Sequence, residues 1–269
     1  MRYFFVSDIH GCYSKLVKAL AIADFDMEKD TLVSVGDPFD RGSQSKEVLD
    51  FILSCPNHII IIGNHDWRLR ELIRKPALYT QYDITNGIPA TVRSFLQIPD
   101  DKYIMMWDAL PQLSSNEQLH RYFEEAVLYI EFKDLIAVHG WIPFHDLAGN
   151  RAEKFYDPFT HETDWRKAPL SWWDEAVWAN TEKCMFNHVY PEKRLLVGHW
   201  HAWRLAQRFG GEQREERGLA YGHIDCRMWE NEHVIAIDGC TNYPHGGTVN
   251  VYVYETDEIP SSRPFLEKR

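Results

Sequence analysis

The sequence predicts an α/β protein in which two mixed sheets and flanking helices form a four-layer α/β/β/α sandwich. In the first third of the chain, short β-branched and aromatic runs alternate with helical patterns, which is typical of parallel strands with helices packed outside them. After Ala126 the apolar runs follow one another more closely and alternate more, which favours a mixed or antiparallel second sheet.

The individual elements follow from local patterns. Three helices are predicted, at 14–23 with Ser14 as a candidate N-cap, at 45–53 and at 67–75, because their apolar residues recur at helical spacing. Strands are predicted where β-branched and aromatic residues cluster. These runs are YFFV 3–6, TLVSV 31–35, HIIII 58–62, VLYIEF 127–132, LIAV 135–138, RLLV 194–197, VIAI 234–237 and TVNVYVY 248–254.

We expect one domain over residues 1–255, because no linker composition interrupts the pattern of strands and helices. Residues 141–190 resist a periodic interpretation and are predicted to be an aromatic-rich insertion over one end of the sheet. The tail at 256–269 has no core-forming pattern and is predicted to be loosely attached.

Composition narrows the range of functions. The chain has 269 residues, of which 45% are hydrophobic and 26% charged, as in ordinary globular proteins, and its net charge of −11 argues against general nucleic-acid binding. We find neither a signal peptide nor an apolar run of about 20 residues, so no membrane association is predicted. The five cysteines are scattered without a CxxC pair, which favours free thiols and a cytoplasmic location.

Metal-binding residue types follow five of the predicted strands. The motifs are SDIHG, GDPFDRG, GNHD, HG and GHWH, and the side chains that they supply are Asp8, His10, Asp37, Asn64, His139, His199 and His201. Ligands of open α/β sheets bind at the carboxyl ends of the strands, so we expect these seven side chains to meet in one region. Each motif alone could be turn chemistry or a buried histidine, but five of them in series favour a shared site.

The donor set predicts the metals. Two Asp, one Asn and four His offer oxygen and imidazole nitrogen but no thiolate, which suits Mn, Fe, Zn or Co. Seven donors exceed the needs of one tetrahedral ion but suffice for two ions that share a bridging carboxylate, and Asp37 is the candidate bridge. We therefore predict two divalent or trivalent metal ions, with Mn²⁺ expected to support activity in vitro.

The whole series of motifs resembles the calcineurin-like metallophosphoesterases. The segments DIHGCYSKL and SVGDPFDRG are especially similar to the branch that contains phosphoprotein phosphatases and symmetrical diadenosine tetraphosphate hydrolases. The motifs extend over residues 7–201, and VIAIDGCTNY and GTVNVYVYE are similar to the end of the family's domain. The resemblance does not cover the insertion at 141–190.

The resemblance also implies roles for particular residues. Asp8, His10, Asp37 and His201 would hold the first metal, and Asp37, Asn64, His139 and His199 the second. His65 would be the general acid, steadied by Asp40. Arg41 would bind the non-bridging phosphate oxygens, with Asn64 and His65 also lining the phosphate site. Hydrolysis would then proceed by direct attack of metal-bound hydroxide, without a phosphoenzyme.

Three functions remain open at this level. The leading interpretation is a serine/threonine protein phosphatase acting on phosphorylated proteins. The alternative is a symmetrical dinucleoside tetraphosphate hydrolase or other small-molecule phosphoesterase. Phosphoprotein phosphatases usually have Glu at the position of Asp66, whereas the diadenosine tetraphosphate hydrolases tend to have Asp there, as this sequence does. A non-catalytic scaffold is disfavoured because no ligand is missing.

Two features bear on the substrate. A second phosphate-binding arginine is expected within AVWANTEK at 176–183 and is absent there, so Arg151, Arg166 and Arg204 are candidate replacements. Tryptophans of the insertion could stack on an adenine, although simple packing of the insertion is the competing interpretation.

Overall fold

In a computed structural model of the protein, the described residues are 1–144, 164–188, 190–210, 225–243 and 246–266. The strands among them are β1 Arg2–Val6, β2 Thr31–Val35, β3 His58–Ile61, β4 Val127–Glu131, β5 Leu135–Val138, β6 Arg194–Val197, β7 Trp229–Glu230, β8 Val234–Ala236, β9 Tyr252–Glu255 and β10 Ser261–Pro264. The α-helices are α1 Tyr13–Ile22, α2 Ser45–Ser54, α3 Asn64–Arg74, α4 Gln81–Asn86, α5 Ile88–Leu96, α6 Met106–Ala109, α7 Glu117–Glu125, α8 Leu170–Ala176, α9 Thr181–Phe186 and α10 Ala202–Phe209.

The strands form two half-sheets that are joined at one point. In the first, β1, β2 and β3 are parallel and β9 pairs antiparallel with β1. In the second, β5, β6 and β8 are parallel, while β4 and β7 are antiparallel to their neighbours. A single residue pair, Ile61 with Val127, connects β3 to β4 and makes the hydrogen-bonded path continuous.

The two half-sheets pack against each other through one buried cluster. Phe5 and Val33 of the first half-sheet share this cluster with Ala137 and Leu196 of the second. The ring of Tyr3 in β1 lies 5.0 Å from that of Phe132, which directly follows β4, although β1 and β4 are not neighbours in the sheet. The predicted α/β class, with mixed strand directions and two layers of strand, is confirmed. The pairing of β3 with β4, which joins the two layers into one continuous sheet, was not predicted.

The opposite faces of the strands pack against helices. Along β1, Tyr3 and Phe5 lie in the inner cluster, whereas Phe4 and Val6 lie in the larger cluster that includes helix residues such as Leu16. Because successive side chains of a strand point to opposite faces, a strand buried on both faces is predominantly apolar. This explains the nearly continuous apolar runs in the sequence.

Some local predictions are wrong. Helix α3 begins at Asn64, three residues before the predicted start, so the GNHD motif opens the helix instead of preceding it. Helix α1 is preceded by Cys12 without a side-chain cap, and Ser14 lies inside the helix. The strand predicted at 248–254 is confined to Tyr252–Glu255.

The prediction of a loosely attached tail is also wrong for residues 261–266. Strand β10 pairs antiparallel with β4, and Phe265 is buried against Trp67, with the two ring centroids 4.7 Å apart. The tail therefore closes one side of the core. Among the described helices, none has the length and apolar character needed to cross a bilayer.

Candidate metal centre

The loops at the carboxyl ends of β1, β2 and β6 have unusual backbone conformations. Six non-glycine residues there have φ values between 48° and 70°, in the left-handed region that most side chains avoid: Asp8, His10, Asp37, Asp40, Arg41 and His199. Strained residues of this kind concentrate at functional sites, where the surrounding structure holds them in place. The backbone thus turns sharply where the motifs after β1, β2 and β6 present their polar side chains.

Two glycines allow these turns to approach one another closely. A Cβ atom on Gly63 would overlap the carboxylate of Asp37, and one on Gly198 would overlap Ser7 and the carboxylate of Asp8. Any side chain at either position would displace a predicted metal ligand. The glycines of GNHD and GHWH are therefore required by the packing of the centre.

Asp37 lies at the middle of the centre. It belongs to two groups of three potential metal donors, one with His10 and His65 and the other with His139 and His199. Within each group the donor atoms lie within 4.8 Å of one another. A carboxylate shared by two groups is the arrangement expected of a ligand that bridges two cations.

Main-chain carbonyls orient the imidazole rings. His10 Nδ1 lies 2.8 Å from the carbonyl oxygen of Phe39, and His139 Nδ1 lies 2.8 Å from that of Val35. Each Nδ1–H therefore donates to a carbonyl and leaves Nε2 directed into the centre. Ligand histidines in metal sites are commonly oriented in this way.

Asn64 and His139 complete one side of the centre. His139 Nε2 is 2.8 Å from Asn64 Oδ1 and 3.3 Å from Asp37 Oδ2, so three predicted donors converge there. Asn64 is the first residue of helix α3 and is accessible at only 1% of its surface.

Asp8 lies beside these groups but outside both of them. Its Oδ1 is 3.9 Å from His10 Nε2, while Oδ2 accepts hydrogen bonds from Ser7 Oγ at 2.5 Å and from the His199 main-chain N–H at 2.9 Å. Asp8 thus ties the loop after β1 to the loop after β6 and still offers Oδ1 to the centre.

The pKa values of the acids and imidazoles in the centre are shifted because these groups are buried together. Burial raises the pKa of Asp8 despite the charge of His139. Burial also acts to lower the pKa of His139, but the charge of Asp37 outweighs it and raises that pKa to about 10. For His199, burial and the charge of His139 lower the pKa to about 3, which leaves a neutral imidazole able to bind metal.

These observations fit two cations of the predicted kind. The donors are carboxylate, amide oxygen and imidazole, which suit Mn, Fe, Zn or Co. Cations placed among buried carboxylates would also offset the cost of taking those charges out of water.

His65, Asp40 and Arg41 lie together at one edge of the centre. His65 Nδ1 is 2.7 Å from Asp40 Oδ2, and His65 Nε2 is 3.2 Å from Arg41 Nη2. A guanidinium can only donate, so in this arrangement Nε2 accepts from Arg41 and Nδ1–H donates to Asp40. Burial lowers the pKa of His65, but the charges of Asp37 and Asp40 outweigh burial and raise it.

Sequence reasoning missed Thr91, which supports Asp40. The Thr91 hydroxyl donates to Asp40 Oδ1 and accepts from the Asp40 main-chain N–H, both at 2.7 Å. Thr91 lies in helix α5, more than fifty residues from Asp40, and a single threonine in an apolar helix carries no recognisable signal.

His201 belongs to neither of the two donor groups that share Asp37. It forms a third group of potential donors with Asp238 and Cys240, and its Nε2 is 3.7 Å from Asp238 Oδ2. Asp238 and Cys240 were not predicted as donors from the sequence.

The three candidate replacements for the missing arginine differ in position. Arg166 is held by Glu131, with contacts of 2.5 and 2.6 Å, and also by Asp164. Arg204 lies over the rings of Trp200 and Trp203 at 5.6 and 5.0 Å, in the helix that follows His201. Arg151 lies outside the described residues.

The family model for calcineurin-like phosphoesterases matches residues 1–224. The chain belongs to this family, in agreement with the resemblance seen in the motifs.

Curated relatives are named as one kind of enzyme. The symmetrical bis(5′-nucleosyl)-tetraphosphatase of Coxiella burnetii is 36% identical over 104 residues, which are 39% of this chain and 34% of the relative. The enzyme of the same name from Hamiltonella defensa is 32% identical over 134 residues, 48% of this chain and 45% of the relative. The matches thus span less than half of the length of these relatives.

Solved structures share the fold. A putative diadenosine tetraphosphatase has a TM-score of 0.50 and 19% identity over 98% of this chain and 93% of the other. A cold-active protein-tyrosine phosphatase from Shewanella has a TM-score of 0.51 and 16% identity over 97% of this chain and 80% of the other. At these identities the likeness concerns the architecture alone.

Proposed function

We propose that this protein is a metal-dependent phosphoesterase that hydrolyses dinucleoside tetraphosphates symmetrically. The observation that supports hydrolysis is Asp37, shared by two groups of donors beside a histidine and an arginine. The substrate class follows from the curated relatives, which are named as symmetrical tetraphosphatases. The relatives thus favour the alternative interpretation of the sequence over the serine/threonine protein phosphatase.

The donors of the centre divide into two sets. Asp8, His10 and Asp37 would hold one cation, and Asp37, Asn64, His139 and His199 the other. Cations held there would neutralise negative charge on the substrate phosphate and make water more acidic.

Arg41 and His65 act on the phosphate that is cleaved. Arg41 Nη2 lies 3.2 Å from His65 Nε2, so a phosphate oxygen entering between them can take over the hydrogen bond of Arg41. His65 is then free to deliver a proton from Nε2 to the leaving oxygen. Asp40 keeps the ring oriented through Nδ1 and stabilises its charged form.

An exposed aromatic pair beside the centre supports a nucleotide substrate. Trp178 is 38% exposed and Tyr82 53% exposed, and their ring centroids are 6.3 Å apart. The Trp178 ring lies 6.3 Å from His199, whose imidazole also hydrogen-bonds to the Trp178 main chain. A base could stack on this pair while its phosphates reach the metal ligands.

Other tryptophans of the insertion serve packing. Trp141, Trp165 and Trp173 are buried in the larger core cluster. Packing therefore accounts for these three, and Trp178 is the residue that we assign to the substrate.

Product analysis tests the proposal. Diadenosine tetraphosphate, a phosphoserine peptide and a generic phosphodiester are each incubated with the protein and Mn²⁺. We expect ADP as the nucleotide product, and hydrolysis in ¹⁸O-water should place the label only in released product. ATP with AMP would contradict symmetrical cleavage, and turnover of the phosphopeptide alone would show a protein phosphatase instead.

Variants of Trp178 test the base contact. Stacking contributes about 1–3 kcal/mol per base, so Trp178→Ala should raise KM for diadenosine tetraphosphate about fivefold or more. Trp178→Phe keeps an aromatic face and is the matched control. An equal KM for the two variants would show that Trp178 does not stack on the base.

A further inference from the structure

We propose that His201, Asp238, Cys226 and Cys240 form a third cation site, for Zn²⁺ or another thiophilic divalent ion, beside the centre around Asp37. The site lies where the loop after β8 meets the start of helix α10. Neither thiol has a part in the proposed hydrolysis.

The first three donors already lie together. The ligand atoms of His201, Asp238 and Cys240 are all within 4.8 Å of one another. Asp238 and Cys240 are accessible at only 3% and 4% of their surfaces. His201 Nε2 faces Asp238 Oδ2 at 3.7 Å, and His201 Nδ1 is buried with no hydrogen-bond partner among the described residues.

Local hydrogen bonds fix the loop that presents Asp238 and Cys240. The Cys240 main-chain N–H donates to Asp238 Oδ1 at 2.8 Å, which leaves Oδ2 facing His201. The Ala202 N–H donates to the carbonyl of Asp238 at 3.0 Å and joins the loop to helix α10. The donors are therefore held by two elements that approach one another at this point.

Cys226 supplies a fourth donor from a different segment. Its thiol hydrogen-bonds with that of Cys240, and this contact, with burial, raises the pKa of Cys240. Asn250 Nδ2 donates to the carbonyls of Cys226 and Ile237, at 2.8 and 3.1 Å, and so fixes the segment beside the end of β8.

The donor chemistry distinguishes this site from the Asp37 centre. Two thiols, one imidazole and one carboxylate make a four-donor set rich in sulfur, which is typical of tetrahedral Zn²⁺. The cation would replace the thiol protons that burial otherwise retains, so its binding releases protons. A bound ion would crosslink the loop after β8 to the start of helix α10.

Metal content measured by mass spectrometry tests the proposal. Purified protein equilibrated with Zn²⁺ under reducing conditions should hold three ions per chain, and Cys226→Ser or Cys240→Ser should hold two. Cys55→Ser, which removes a buried thiol elsewhere, is the matched control and should keep three. Two ions in the wild-type protein, or an unchanged content in both thiol variants, would overturn the proposal.

Two further measurements do not depend on the stability of a variant. Co²⁺ bound to the wild-type protein should show near-ultraviolet charge-transfer absorption from thiolate ligands. Zn²⁺ should slow alkylation of Cys226 and Cys240 but leave Cys12 reactive. Absence of the absorption, or alkylation of both thiols at the same rate with and without Zn²⁺, would refute the site. These results are independent of catalysis, so the proposed function can fail without affecting them.

Discussion

The two histidines of the GHWH motif lie in different surroundings, although only Trp200 separates them. His199 has a left-handed backbone with φ of 59° and joins Asp37 and His139. His201 has φ of −51° and ψ of 121°, immediately before helix α10, and joins Asp238 and Cys240. Backbone conformation thus assigns neighbouring residues to different donor groups, which sequence spacing cannot do.

The two groups also differ in what they offer a cation. The Asp37 centre presents oxygen and imidazole donors that follow five different strands, beside an arginine and a histidine that can act on a phosphate. The His201 group contains the Cys240 thiol in addition to an imidazole and a carboxylate. Oxygen and imidazole donors beside Arg41 and His65 suit the first region to phosphate hydrolysis, whereas sulfur donors in the second would suit a structural Zn²⁺ ion.

The largest effect is expected from Asp37→Asn. Removing the shared charge should weaken both cations of the centre and lower turnover by about 10³-fold or more. Turnover and metal content are measured together after dialysis against a low-affinity chelator.

The variant Cys240→Ser is the reciprocal control, because it alters the proposed thiol site and leaves the Asp37 centre unchanged. It should lose one ion and retain the two that Asp37 binds, whereas Asp37→Asn should retain the ion held by the thiols. If the same ion disappears in both variants, the two regions form a single site and the comparison fails.

The second-largest effect on turnover is expected from His65→Asn. Loss of a general acid lowers turnover by about 10²–10⁴-fold when the leaving group is a poor one, such as a serine alkoxide. A nucleoside diphosphate is a better leaving group, because its terminal phosphate has a pKa of about 6 and needs no proton to depart. We therefore expect a smaller loss with diadenosine tetraphosphate than with a phosphoserine peptide or an alkyl phosphate.

Steady-state kinetics on the two kinds of substrate measure this difference. Metal content should stay normal in His65→Asn. A drop in bound metal would show instead that His65 is a ligand within the group that it forms with His10 and Asp37. Equal losses on both kinds of substrate would argue against proton donation.

Thr91→Val tests the support beneath Asp40. The substitution keeps the shape of the side chain but removes both hydrogen bonds to Asp40, so the free energy of unfolding should fall by about 1–3 kcal/mol. Turnover should fall by about tenfold, because a mobile Asp40 orients His65 less well. Urea denaturation and kinetics are the measurements, and Thr91→Ser, which keeps the hydroxyl, should restore most of both.

The smallest effect is expected from Arg204→Ala. If Arg204 provides the second phosphate contact, KM for a tetraphosphate should rise about fivefold to tenfold with little change in kcat. Arg208 lies in the same helix, but its guanidinium is 3.6 Å from Glu182. Arg208→Ala is therefore the control, and the same KM for both variants would remove Arg204 from the substrate site.

Local patterns in the sequence predicted much of the fold. The runs at 31–35, 135–138 and 194–197 became strands with the predicted bounds, because strands buried on both faces are predominantly apolar. Boundaries were wrong where tertiary contacts decided them. Helix α3 starts early because Asp66 accepts a hydrogen bond from the Gly63 N–H at 2.8 Å, and β10 exists only because β4 offers it a free edge.

The sequence by itself determined the α/β class and the family, because apolar periodicity and motifs at strand ends are local properties of a chain. It also indicated which residues gather around Asp37, since parallel strands bring their carboxyl ends to one edge. Only the tertiary structure decided that His201 faces Asp238 and Cys240, that Thr91 holds Asp40, and that Arg166 is engaged by Glu131. Each of these contacts joins segments far apart in the chain, and their geometry depends on backbone angles and packing that no spacing of residues records.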